Sequence, residues 1–231
     1  MELILCILWG LITLLTMLLT KIFFIPYLES KRKSDSSNVE TSSNSLRRIS
    51  TKFVIIISVV CSLIAAYAGF SVAGGIEGKI SGMIIYTLVN CVLSCIFITD
   101  MQLKIIPNIC IIVMLGGKLV TMIIDFITDR EFFVGFLIQC SVTAIVCLIF
   151  TLLISKLTHN GIGFGDVKLL CAFGFLCGIK ALLYSIIFAF VFASVFALAL
   201  MIFKKKSLKD SLPFGPMLWV GFQITAILCL I

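Results

Sequence analysis

Two aspartates lie at positions where a strongly apolar chain would be expected to avoid charge. Asp100 ends one apolar run in "ITDMQLKIIPN" (98–108), and Asp166 begins another in "GFGDVKLL" (163–170). Ionisable groups at the ends of membrane helices are costly to desolvate, which makes them candidates for function. Two carboxylates that meet at one depth share a proton, and such a pair can activate a water and polarise a peptide carbonyl. These residues indicate acid–base hydrolysis.

Each aspartate also has a structural interpretation. Asp166 is favoured as the N-cap of a helix, where its carboxylate accepts hydrogen bonds from the first turn. Asp100 lies at the C-terminal end of a helix, where the helix dipole is negative. Either another group compensates this unfavourable interaction, or Asp100 is solvated, or it caps a short segment ahead of Pro107. Taken alone, neither residue decides between the two interpretations.

Glycines alternate immediately before the second aspartate, at Gly161, Gly163 and Gly165. Residues without a Cβ let the backbone approach a neighbouring segment, so a substrate strand could lie there; the alternative is a flexible loop. Lys168 is interpreted either as a charge partner of Asp166 or as one of the basic residues of a membrane face.

The composition indicates which elements must position these residues. Of 231 residues, 61% are hydrophobic and 13% charged, with a mean hydropathy of +1.24, which excludes a soluble globular domain. We predict an all-α, polytopic membrane bundle of about eight transmembrane segments, forming a single domain over residues 1–231, with a short sixth segment. The first run is interpreted as a retained helix and not as a signal peptide. The predicted runs are 3–24, 53–72, 83–99, 105–124, 132–154, 167–177, 181–203 and 213–231.

The net charge of +7 is concentrated in alternate loops. By the positive-inside rule, both termini lie outside and both aspartates lie at the cytoplasmic boundary. The basic face is expected to meet anionic lipid, with no role in nucleic-acid binding, and the oligomeric state is not indicated. The loops predicted in the cytoplasm lie near residues 26–52 (a polar loop), 100–104, 155–166 and 204–212.

Ten cysteines lie in or beside the apolar runs, and no Cys-x-x-Cys pair occurs. Cys91 and Cys95 share a helix face, but two thiols do not make a zinc site. We interpret the cysteines as buried small hydrophobic residues and predict neither a metal nor a cofactor.

Three segments, in order, resemble the motifs of the type IV prepilin peptidase family within residues 98–221. They are the two aspartate segments and "LPFGPMLWVG" (212–221), which is similar to the Pro-Phe-Gly-Pro element of that family. The resemblance implies that Asp100 and Asp166 form a catalytic dyad. It also implies an active-site loop region that includes Gly163, Gly165, Lys168, Pro107 and Asn108.

The resemblance further implies a bacterial membrane aspartic endopeptidase that removes the basic leader from prepilins and pseudopilins at the cytoplasmic face. Longer members also methylate the new N-terminus with S-adenosylmethionine and carry a cytoplasmic insertion with two Cys-x-x-Cys pairs. Because the loop at 26–52 has no cysteine, the resemblance extends to peptidase activity better than to methylation or zinc binding.

Two other classes of function stay open. Paired acids also suit a transporter or channel in which they relay protons or cations. A scaffold subunit could retain the motifs without activity. Pro213, Gly215 and Pro216 are interpreted first as residues that begin a helix, the alternative being that they open room beside the dyad.

Overall fold

A computed structural model describes residues 2–35, 51–75, 80–128, 130–157, 163–202 and 213–228. Within these ranges the protein is helical and contains no strand. The helices are α1 (Glu2–Leu19), continued by a π-helical turn (Thr20–Phe24) into α2 (Ile25–Asp35), then α3 (Thr51–Gly75), α4 (Ile80–Leu103), α5 (Asn108–Thr128), α6 (Arg130–Leu157), α7 (Phe164–Ile202) and α8 (Phe214–Ile227).

The predicted all-α, polytopic membrane architecture is confirmed. Among the described residues, five helices are long and apolar enough to cross a membrane, and two shorter apolar helices accompany them. The long ones are Ile7–Ser30, Gly82–Leu103, Asn108–Thr128, Phe133–Leu157 and Phe164–Ala199, and the shorter ones are Ile55–Ala68 and Phe214–Ile227.

The polar loop predicted at 26–52 differs from the structure at its start. Residues Ile25–Asp35 are helical and extend the first membrane helix beyond its apolar part. Lys, Arg, Glu and Leu in this segment are good helix formers, so a polar composition does not end the helix here. Residues 36–50 lie outside the described part of the chain.

Helix α7 is broken at Gly178, where φ is 82° and ψ is 178°. Only glycine adopts these angles readily. A Cβ on Gly174 would lie 3.1 Å from a methyl group of Leu182, although residues eight apart in a straight helix are separated by about 12 Å. The chain therefore reverses at Gly178, and we call the two halves α7a (residues 164–177) and α7b (residues 179–202).

Helix α7b packs closely against α8. The hydroxyls of Ser185 and Thr225 are 3.2 Å apart. A Cβ on Gly221 would overlap the Ser185 carbonyl oxygen and lie 2.8 Å from the Ala189 nitrogen. Since 185 pairs with 225 and 189 with 221, the two helices run antiparallel. Counting α7a and α7b separately, the order of apolar helices agrees with the predicted eight runs, including the short sixth.

The bundle has polar side chains inside and apolar side chains outside, as a membrane protein requires. In α5 the buried face carries Lys118, Thr121 and Asp125, whereas Ile112 and Ile123 are exposed. The predicted run 105–124 ends too early, because α5 continues to Thr128 and Asp125 is buried within it.

A hydrogen-bonded network in the core joins helices that are distant in sequence. Asn90 of α4 donates to the Thr13 hydroxyl of α1 at 2.7 Å and accepts from Gln223 of α8 at 2.7 Å. The indole of Trp219 donates to Ser94 at 3.1 Å. These contacts fix α4 and α8 against each other, and both helices lead to the site described next.

Candidate active site

Asp100 lies in the last turns of α4 and contacts the start of α8. It is 7% exposed, and its Oδ2 accepts a hydrogen bond of 2.7 Å from the backbone N–H of Gly215. The backbone N–H of Phe214 also donates to this carboxylate. Free N–H groups and the positive end of the dipole make a helix N-terminus an anion-binding site. The start of α8 therefore supplies the compensation that the C-terminal position of Asp100 requires.

The Pro-Phe-Gly-Pro segment makes this contact possible. Pro213 is the N-cap of α8, with extended backbone angles (φ −69°, ψ 126°). A Cβ on Gly215 would lie 2.8 Å from Cγ2 of Ile96 and 3.2 Å from Cβ of Asp100. Any larger residue would push the start of α8 away from the aspartate. The segment begins the helix, as expected, and also binds Asp100 through its backbone, which sequence reasoning did not identify.

Asp166 is the third residue of α7a and not its N-cap. The Gly163 carbonyl accepts hydrogen bonds from the backbone N–H groups of Asp166 (3.0 Å) and Val167 (3.3 Å). The Asp166 carboxylate in turn accepts from the Gly163 N–H. An acid at this position that reaches back to the helix start resembles one half of a capping box. Asp166 thus stabilises the start of its helix and still faces the cavity described below.

Gly163 and Gly165, before Asp166, both lie in close contacts, whereas Gly161 lies outside the described residues. A Cβ on Gly165 would lie 3.3 Å from Cβ of Ile106, in the connection between α4 and α5. A Cβ on Gly163 would lie 3.1 Å from Oδ2 of Asp166. Gly165 brings the start of α7a against the segment that follows Asp100, whereas Gly163 leaves room for the Asp166 carboxylate.

Both carboxylates line one cavity of about 410 Å³. Its wall also includes Gly163, Gly165, Lys168 and Asn108, so six of the predicted site residues meet there. The negative charge of Asp100 acts on Asp166. The cavity is formed by the end of α4 and the starts of α5, α7a and α8.

Pro107 is placed differently from the other predicted residues. It is buried behind the cavity wall, and its carbonyl accepts a hydrogen bond of 3.1 Å from the Cys110 N–H at the start of α5. It shapes the bend between α4 and α5, whereas the adjacent Asn108 reaches the cavity. The Lys168 ammonium lies 4.8 Å from the ring centroid of Phe164. Residues two apart on a helix do not face each other, so Asp166 is not its natural partner.

Lys104 is a cavity residue that sequence reasoning missed. It has a positive φ of 51°, and its N–H donates to the Asp100 carbonyl at 3.0 Å, closing the end of α4. Glycine or asparagine is usual at this position of a helix end. The Lys104 charge acts on the Asp100 carboxylate, and its side chain lines the cavity. In the sequence, Lys104 is a lysine four residues after an acid at a helix end. Sequence reasoning did not single it out, because the positive-inside rule already accounts for a lysine in that loop.

Within the described residues, no group of three or more His, Cys, Asp or Glu side chains could hold a metal ion. The thiols of Cys95 and Cys110 lie 3.8 Å apart. This pair joins α4 to α5 behind the cavity.

The fold and the site together define a polytopic helical membrane protein with two acids in one cavity. Residues 87–198, just under half of the chain, match the model of the type IV leader peptidase family. The chain is also similar to the prepilin leader peptidase/N-methyltransferase of Bacillus subtilis (strain 168), with 29% identity over 73 residues, or 32% of this chain. These residues span 29% of that relative, and no solved structure matches. Both matches agree with the resemblance to the prepilin peptidase family that the motifs indicated.

Proposed function

We propose that this protein is a membrane aspartic endopeptidase that removes the basic leader peptide from prepilins or pseudopilins. The observation that carries the proposal is the meeting of Asp100 and Asp166 in one cavity, inside the region that matches the leader peptidase family. The named activity of the Bacillus subtilis relative supplies the substrate class. We further propose that the cavity opens to the cytoplasm of a bacterial cell, because the basic loops are predicted on that side.

The two carboxylates have different surroundings, which suggests a division of roles. Asp100 accepts hydrogen bonds from two amides at the start of α8 and lies near the Lys104 charge. Asp166 accepts a hydrogen bond from the amide of Gly163, its one backbone donor among the described residues. When the pair shares one proton, these donors favour the negative charge on Asp100 and the proton on Asp166.

Peptide hydrolysis then follows the logic of a shared-proton aspartate pair. Asp100 takes a proton from a water as the water oxygen bonds to the carbonyl carbon, and Asp166 gives its proton to the carbonyl oxygen. The resulting gem-diol collapses as the C–N bond breaks. The proton held by Asp100 passes to the leaving nitrogen, and Asp166 regains one from the diol, which restores the starting state.

The test is cleavage by the purified protein in lipid vesicles. Candidate prepilins from the same genome are added, and the new N-terminus is identified by mass spectrometry. We expect one cut that separates the basic leader from the apolar segment. Absence of cleavage across several prepilins, with correctly inserted protein, would contradict the proposal.

The same vesicles distinguish the transporter alternative. A proton or cation relay predicts flux that is lost when Asp100 or Asp166 becomes asparagine, without any leader removal. Asp125→Asn is a matched control, because Asp125 is also buried but lies near the far end of α5 from the cavity. We expect Asp125→Asn to retain cleavage by the folded protein.

A further inference from the structure

A buried lysine outside the cavity has no role in the proposed hydrolysis. Lys118 of α5 is 1% exposed. Its ammonium donates to the Leu176 carbonyl at 3.4 Å and to the Cys140 sulfur at 3.3 Å, and it lies 4.1 Å from the ring centroid of Phe136. A lysine at the centre of a membrane helix is costly to insert into the bilayer. A residue kept at this cost requires an explanation.

The explanation begins with the length of α7a. Its 14 residues, 164–177, extend about 21 Å, whereas the hydrocarbon core is about 30 Å thick. With its N-terminal end at the predicted membrane boundary, the helix would end within the bilayer, and Gly178 reverses the chain at that point. The last four carbonyls of a helix lack partners in that helix, and in hydrocarbon they must find partners within the protein. The Lys118 ammonium supplies a donor to one of them, the carbonyl of Leu176.

The positive charge of Lys118 also suits the dipole of α7a. A cation is favoured at the C-terminal end of a helix, and an anion at the N-terminal end. In α7a the C-terminal end meets Lys118, and the N-terminal turn carries Asp166. The contacts to Cys140 and Phe136 hold the ammonium against α6. The end of α7a is thus fixed to both α5 and α6.

We propose that Lys118 is a positioning residue for Asp166. A short helix moves as a rigid unit, so the point at which Lys118 holds the end of α7a sets the position of Asp166 against Asp100 at the other end. The catalytic consequence of this inference rests on the proposed function. The placement of α7a can be measured without any substrate.

Disulfide formation reports that placement. In an Ile106→Cys/Gly165→Cys variant the two Cβ atoms would start about 3.3 Å apart, close to the range that a disulfide needs. The bond between positions 106 and 165 is followed by mass spectrometry of non-reduced peptides, so the native cysteines stay in place. Adding Lys118→Met should slow its formation several-fold, and Lys118→Arg should restore most of the rate. Lys180→Met removes an exposed lysine beside the same turn and should change nothing.

Cleavage kinetics test the consequence for Asp166. Because small misplacements of reacting groups cost up to about 100-fold in rate, Lys118→Met should lower kcat roughly 10- to 100-fold. KM should stay unchanged, and Lys118→Arg should recover part of kcat. The inference would be overturned if Lys118→Met cross-linked at the normal rate and had a normal kcat. It would also be overturned if the losses of cross-linking and kcat disappeared when both were expressed per unit of folded protein. If Lys118→Met does not accumulate, Lys118→Gln is measured in the same way.

If the unmodified protein cleaves no prepilin, the proposed function fails, while cross-linking still decides whether Lys118 places α7a.

Discussion

At the residue scale, the sequence identified the two acids because charge is rare in this chain and each lies beside a distinctive motif. It could not identify the partners of Asp100, which are backbone amides more than 100 positions away. Because these donors are backbone groups, the residue types at those positions do not reveal them. The signal that remains is Gly215, where a Cβ would clash with Ile96. Lys104 was missed because its unusual φ is a property of the folded backbone.

The backbone of Lys104 gives a prediction for stability. A non-glycine residue with positive φ costs roughly 1–2 kcal/mol. Lys104→Gly should therefore unfold with a free energy about 1 kcal/mol higher than Lys104→Ala, although both remove the same charge beside Asp100. The pair is compared by reversible unfolding in detergent or bicelles. Equal free energies of unfolding for the two variants would show that the backbone at position 104 is not strained.

At the element scale, the apolar runs predicted the helices and their order, including the short sixth run. The sequence did not show that α7a and α7b are joined by a single glycine, because φ at Gly178 follows from packing and not from composition. It also placed the start of the polar loop too early, because helix propensity continued α2 to Asp35.

The start of α8 is the element whose placement matters most for Asp100. Gly215→Ala should displace it, since the added Cβ would lie 2.8 Å from the Ile96 side chain. We expect cleavage to fall at least roughly tenfold because Asp100 loses its amide donors. Leader removal is measured per unit of folded protein.

Gly116→Ala is the matched control for that substitution. Gly116 lies within α5, and a Cβ there would meet nothing within 4 Å. This change should preserve activity and raise the free energy of unfolding by about 0.5–1 kcal/mol. If Gly215→Ala were as active as Gly116→Ala, the close contact between α8 and Asp100 would not be needed.

At the scale of the whole molecule, helices distant in sequence are held together by buried polar contacts. Asn90 joins α1, α4 and α8 through Thr13 and Gln223. Asn90→Ala removes one buried hydrogen-bond partner from each of these residues and should lower the free energy of unfolding by about 1–3 kcal/mol. Thr128→Ala is the control, because the exposed Thr128 hydroxyl donates within its own helix, to the Ile124 carbonyl. Equal Tm values for the two variants would show that the network contributes little.

The sequence predicted a membrane bundle that brings both acids to one boundary, because the distribution of lysine and arginine sets the orientation of the helices. Which helix ends then meet depends on tertiary packing. The contact of α8 with α4 relies on the Asn90 network and on glycines such as Gly221, whose role is visible only once the neighbouring helix is in place.

The central claim is that Asp100 and Asp166 act as one catalytic unit. The most direct test is single-turnover cleavage of a prepilin in vesicles by the unmodified protein, Asp100→Asn, Asp166→Asn and the double variant, at equal amounts of inserted protein. We predict that each single change slows cleavage at least about 100-fold, and that the double variant is no slower than the slower single variant. Substantial cleavage by either single variant, or independent losses that multiply in the double variant, would contradict the shared mechanism.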